Sequence, residues 1–175
     1  MMFQVGDQVV YGIHGVCRIL ELEERTVDRK KIKYFALEPM DQTGARYYVP
    51  SENPAALAKL RHLISREELQ ALLASDEIRQ NCWIPDENQR KLRYRELING
   101  GDRVSLLRMI NSLHEHKQEQ AAAGRKFHLC DDNFLRDAEK LLNAEFALVL
   151  DIRTTEVEGY ILRALDCDKT VSRCE

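Results

Sequence analysis

From Phe3 to Val49 apolar and polar residues alternate in short runs broken by glycine, as in Asp7-Gln8-Val9-Val10-Tyr11, Val16-Cys17-Arg18-Ile19-Leu20, Lys33-Tyr34-Phe35-Ala36-Leu37 and Arg46-Tyr47-Tyr48-Val49. A period of two sends successive side chains to opposite faces, so these runs are expected to be strands. Gly12 and Gly15 flank His14 in a tight connection, and Asp41-Gln42-Thr43-Gly44 reads as a hairpin turn whose glycine takes a positive φ.

After Pro50 the period changes. Ser65-Arg66-Glu67-Glu68 is a capping box ahead of Leu69, Leu72 and Leu73. Asn99-Gly100-Gly101-Asp102 ends one helix on glycine and caps the next with aspartate, and that next helix carries the stripe Leu106, Leu107, Ile110, Leu113 until Gly124 stops it. A further helix is expected from near Asp131, with Leu135, Ala138, Leu142, Phe146 and Val149 facing a core. The short polar link at 124–128 predicts an antiparallel hairpin of these two helices, packed with the helix holding Arg90 to Leu97, and Arg153 to Leu165 adds a short helix. The expected architecture is α+β: a small, strongly bent SH3-like or Tudor-like barrel of about five strands, followed by a compact all-α domain. The expected boundaries are a barrel over 1–53, a helical linker over 54–80, a helical domain over 81–165 and a flexible tail over 166–175.

The formal net charge of -3 gives no global attraction to nucleic acid, so any such binding needs a local patch. One exists: Arg90, Lys91, Arg93, Arg95, Arg103, Arg108, Lys117, Arg125 and Lys126 face only Glu96, Asp102, Glu115 and Glu119 within residues 90–126. Just ahead of it sits the single tryptophan, Trp83, in the loop-like stretch Asn81-Cys82-Trp83-Ile84-Pro85-Asp86. A flat apolar ring beside clustered cations suits a wedge at a base step, the cations holding phosphates. That use requires the indole to project into solvent; the alternative is a ring plugging a seam of the helical domain.

Enzymatic motifs are missing: the chain has no Gly-x-Gly-x-x-Gly, Walker loop, Gly-x-Ser-x-Gly or His-Glu-x-x-His pattern. His114 and His116 lie two apart on a helix and point to different faces, and His14, His62 and His128 lack ligand neighbours at zinc spacing, so no metal and no cofactor is expected. Glu21-Glu23-Glu24 and Glu67-Glu68 read as solvated faces and caps rather than a paired acid and base. The five cysteines, without a C-x-x-C pair, read as reduced thiols, and no stretch has the length to span a bilayer. A soluble, cytoplasmic, non-enzymatic monomer is expected, with no membrane partner.

The opening Phe3-Gln4-Val5-Gly6-Asp7-Gln8-Val9-Val10-Tyr11-Gly12-Ile13-His14-Gly15 resembles the start of the CarD family of bacterial transcription regulators. So do Tyr48-Val49-Pro50-Ser51-Glu52-Asn53, the tryptophan followed by basic residues, and Phe134 to Leu142 leading into Glu145-Phe146-Ala147-Leu148. The resemblance implies a barrel that docks on a lobe of the RNA polymerase β subunit, a contact that similar barrels of the transcription-repair coupling factor also make. It further implies a helical domain on promoter double-stranded DNA at the upstream edge of the bubble, with the tryptophan in the minor groove and little sequence specificity. Localisation would then be to the nucleoid, through the polymerase.

The polymerase contacts are expected at Arg46, Tyr47 and Tyr48, with Arg25 near by adding charge attraction; the DNA contacts are expected at Trp83, at Arg90 as the match to the family's DNA-contacting arginine, and, as backbone contacts, at Lys91, Arg93, Arg125 and Lys126. Two departures stand out. Tyr48 occupies a position where relatives often carry a basic residue, and Ile84-Pro85 lengthens the spacing from Trp83 to Arg90, with Pro85 expected to begin the helix. Alternation alone leaves open whether Arg46-Tyr47-Tyr48-Val49 is an edge strand, free to pair with a partner, or an inner one. A protein–protein adaptor that never touches DNA is the alternative function.

Overall fold

The computed structural model describes the backbone of residues 3–171 and the side chains of residues 3–164. The chain divides into two units, with the boundary between Leu63 and Ile64.

In the N-terminal unit, β1 (Gln8–Tyr11), β2 (Val16–Val27), β3 (Lys30–Pro39), β4 (Tyr47–Pro50) and β5 (Leu60–His62) form one antiparallel sheet in the order β4-β3-β2-β1-β5. A register shift between Ile19 and Glu21 bends the long β2 so that its first residues serve β1 as well as β3. One face of the sheet packs Val9, Cys17, Ile19, Phe35, Leu37, Val49 and Leu60 into a core. Burial raises the Cys17 thiol pKa to about 11, so this cysteine stays protonated and inert at neutral pH.

Two features of this unit differ from the sequence-based expectation. The β2–β3 hairpin is longer than expected and turns on Asp28 and Arg29, both in the left-handed region (φ 50 and 63) with no glycine to mark the place. The expected linker over 54–80 does not exist as a separate segment. Its first part forms helix α1 (Pro54–Leu57), capped by the Asn53 side chain, and then β5, which completes the sheet beside β1. Its second part belongs to the helical unit.

That unit consists, among the described residues, of α2 (Arg66–Ala74), a 3-10 turn (Asp76–Arg79), α3 (Glu87–Gly100), α4 (Arg103–Ala122), α5 (Leu129–Leu150) and α6 (Thr154–Val171). The Ser65/Glu68 capping box is complete, and Asp102 caps α4 by accepting from Ser105 N–H. The helix after Trp83 starts differently from the expectation: Asp86, not Pro85, is its cap, accepting from Gln89 N–H at 2.8 Å. α4 and α5 form an antiparallel pair, joined by Lys117–Asp132 and by His114–Glu139. The predicted stripes meet in one core, where Tyr94 of α3 packs edge-on against Phe134 of α5 at 5.7 Å.

The segment after Leu165, expected as a flexible tail over 166–175, continues α6 to Val171, and 172–175 lie outside the described residues. Among the described residues no helix is long and apolar enough to cross a membrane.

Candidate nucleic-acid interface and polymerase-facing strand

Trp83 lies in a loop that is tied down on two sides. Its own N–H donates to Asn81 Oδ1 (2.7 Å), and Asn81 Nδ2 donates to Glu115 of α4 (3.3 Å). The neighbouring Cys82 N–H donates to Ser112 Oγ of α4 (2.8 Å). The indole is half-buried against the helical core. The His116 imidazole stacks on it at 3.7 Å and 22°, and the Arg90 guanidinium lies over the ring with Cζ 4.2 Å from its centre. Two groups at such short distances cannot share one face of an indole, so the ring is sandwiched.

This corrects two expectations. Trp83 does not stand free in solvent; its two flat faces are occupied. Arg90 is not placed to meet a phosphate, being only 5% exposed. Its Nε and Nη2 make a bidentate pair with Asp131 (2.9 and 3.0 Å), while Nη1 donates to the carbonyls of Ile84 and Pro85 (2.8 and 3.2 Å). Burial pulls the Arg90 pKa down, but the hydrogen bonds and charge of Asp131 outweigh it, and the guanidinium stays above its usual value and charged. The proline-lengthened spacing thus carries the arginine under the tryptophan rather than beside it. Asp131, seen in the sequence only as a helix-start residue, and His116, weighed there only as a metal ligand, are the partners that sequence reasoning missed.

The other basic candidates divide. Arg93 pairs with Glu96 on the exposed side of α3 (3.1 Å) and lines a recess of about 160 Å³ together with Cys82, Ile84, Leu97, Ser105 and Arg108. Arg108, part of the basic patch but not among the expected DNA-binding residues, has a buried Nε with no hydrogen-bond partner. Lys91 is drawn to Glu87 one turn back, a pairing that raises the lysine pKa and lowers that of the glutamate. Arg125 and Lys126 are exposed in the α4–α5 connection. The next residue, Phe127, links them to the tryptophan through His116, whose ring lies 6.3 Å from that of Phe127. The recess lined by Arg93 thus lies against the neighbours of Trp83, the 125–126 loop is linked to Trp83 only through Phe127 and His116, and Arg90 is turned inward.

In the N-terminal unit the question of edge or interior is resolved: among the described residues β4 ends the sheet and pairs with β3 alone. Register places Tyr47 and Val49 on the core-facing side, where Tyr47 sits 4.2 Å from the His14 ring and 6.0 Å from that of Tyr11. Tyr48 lies on the other face. There Arg25 Cζ rests 3.6 Å over its ring, and Arg46 bonds Glu21 at 2.9 Å. Arg25 and Arg46 are both held above the usual guanidinium pKa, Arg25 first by its hydrogen bond to Glu23 and Arg46 first by that to Tyr48. Of the four polymerase candidates, the exposed Arg25 and Arg46 and the half-buried Tyr48 form one surface group, and Tyr47 belongs to the aromatic packing behind it.

Residues 3–64 match the family described as CarD-like/TRCF RID domain, a span that coincides with the sheet unit including α1 and β5. CarD-family regulators are RNA polymerase-binding proteins without enzymatic activity. The N-terminal unit of this chain thus matches a CarD-like RNA polymerase-interacting domain, a match that implies binding to the polymerase β subunit, and the protein is consistent with a CarD-type transcription regulator.

Proposed function

We propose that the chain links RNA polymerase to promoter DNA, its sheet unit holding a lobe of the β subunit and its helical unit favouring the opened duplex at the upstream edge of the bubble. The observation that carries the DNA half is the clamped Trp83 beside a recess lined by two arginines. Because His116 and Arg90 cover the ring faces, the indole acts edge-first, as a rigid blade against a widened minor-groove step. Full intercalation would cost one of its two stacks. Fixing the ring beforehand removes rotamer freedom that a loose tryptophan would lose on binding.

A group that binds only the distorted state shifts the equilibrium toward it by its differential affinity. A differential of roughly 1.4–3 kcal/mol gives a tenfold to hundredfold gain in open over closed complexes. Trp83→Ala is expected to shorten the lifetime of heparin-challenged open promoter complexes by about that factor, while thermal unfolding shows the variant folded. Equal lifetimes for wild type and a folded Trp83→Ala would remove the wedge and leave the adaptor reading, which the half-burial of the ring favours.

The recess provides a separate check. Its volume admits a phosphate group, and Arg108 brings a guanidinium whose Nε is unsatisfied. Every phosphate that the protein ceases to neutralise lowers the slope of log affinity against log salt by about one. Arg108→Gln should flatten the salt dependence of DNA binding by about that amount, and Trp83→Ala should weaken binding with the slope unchanged. Localisation with the polymerase in the cytoplasm follows from this reading.

A further inference from the structure

On the helical unit, His114 of α4, Glu139 of α5 and Glu158 of α6 bring one ligand atom each to within 4.8 Å of one another. His114 Nε2 and Glu139 Oε1 are 2.8 Å apart, both side chains 24% exposed, and Glu158 sits at the open rim. Neither Trp83, the recess nor the sheet unit uses these three residues. The histidine spacing that argued against a shared site concerned His114 and His116 on one helix; the third ligand comes from another helix, which no local spacing reveals.

We propose that these three side chains bind a divalent transition-metal ion of the zinc class. One imidazole nitrogen and two carboxylate oxygens form a mixed donor set suited to zinc, whereas calcium and magnesium ask for more oxygen ligands. Ligand atoms around a tetrahedral zinc with bonds of ~2.0–2.2 Å lie about 3.3–3.6 Å apart. The His114–Glu139 pair opens slightly to reach that spacing, and the exposed Glu158 side chain closes inward by rotating. His114 then carries its proton on Nδ1, so that the Nε2 lone pair faces the metal. The fourth position remains for water. Because each ligand stands on a different helix, the ion fastens α6 across the α4–α5 hairpin.

Zinc titrated into the full chain, kept reduced, should raise its unfolding temperature by roughly 5 °C or more at saturation. Glu158→Gln, at the exposed rim where folding does not depend on it, should abolish most of that shift, and magnesium should give none. Cobalt in place of zinc should bring visible absorption without the near-ultraviolet thiolate band, which separates this site from the cysteines. Absence of a zinc shift in the wild-type chain, its survival in Glu158→Gln, or a thiolate band with cobalt would each overturn the assignment.

Discussion

Arg90→Ala is expected to destabilise the helical unit by about 3–5 kcal/mol, because it leaves the Asp131 carboxyl buried without its bidentate partner. The side chains of Arg90 and Asp131 are 6% and 3% exposed. The Ile84 and Pro85 carbonyls lose a donor in the same step, and the indole of Trp83 loses the cation on one face. Thermal unfolding followed by circular dichroism should show a drop of well over ten degrees, on a scale of several degrees per kcal/mol for a unit of this size. Tryptophan emission should shift to longer wavelength as the ring gains water. Lysine should not rescue, since a point charge cannot serve two carboxylate oxygens and two carbonyls at once. Replacing both members, Arg90→Met with Asp131→Leu, should recover most of the loss, the double-mutant cycle showing strong coupling. A stability within about 1 kcal/mol of wild type for Arg90→Ala would show that the pair contributes little. If the helical unit binds DNA as proposed, weaker binding in an Arg90 variant is expected to come from a disturbed Trp83 loop and not from a missing phosphate partner.

The second large effect is expected at Glu145, which is fully buried in α5. Its carboxylate accepts from Arg103 Nε (3.1 Å) and Nη2 and from the backbone N–H of Ile64 (2.9 Å), and so bolts the first residue of the helical unit to α5. Glu145→Ala removes the acceptor, leaves a buried N–H unsatisfied and opens a cavity, and together these should cost about 3–5 kcal/mol. Glu145→Gln keeps the volume but sets an amide donor among donors, and should cost about half as much. Urea denaturation measures both. Hydrogen exchange adds a local signature: the Ile64 amide should lose protection in either variant, more than amides of the α4–α5 hairpin. Unchanged protection at Ile64 would mean that another group holds this junction.

Much of the scaffold was legible because its signals are local. The Ser65 capping box, the Asp102 cap and the stripes Leu106 to Leu113 and Leu135 to Phe146 need only near neighbours along the chain, and each appears where its spacing places it. The Asp28–Arg29 turn was hidden because Arg29 stands where an Asp-Gly pair would carry its glycine, and arginine does not mark left-handed backbone. Strand β5 was hidden behind Pro50 and α1, and only pairing with β1 makes three residues a strand. Among the site residues, alternation puts Arg46 and Tyr48 on one side of the chain, whereas Arg25 reaches Tyr48 from β2 across β3, a contact only the folded sheet reveals. The burial of Arg90 was not legible, because it is decided by Asp131, 41 residues away.

The sheet unit also shows how an edge strand can be tolerated. β4 offers a margin only four residues long, and it ends on Pro50, which has no N–H to give. At about 0.5–1.5 kcal/mol net per backbone bond, so short a margin cannot template copies of itself into fibrils. A partner strand added along this margin would gain little from the main chain alone.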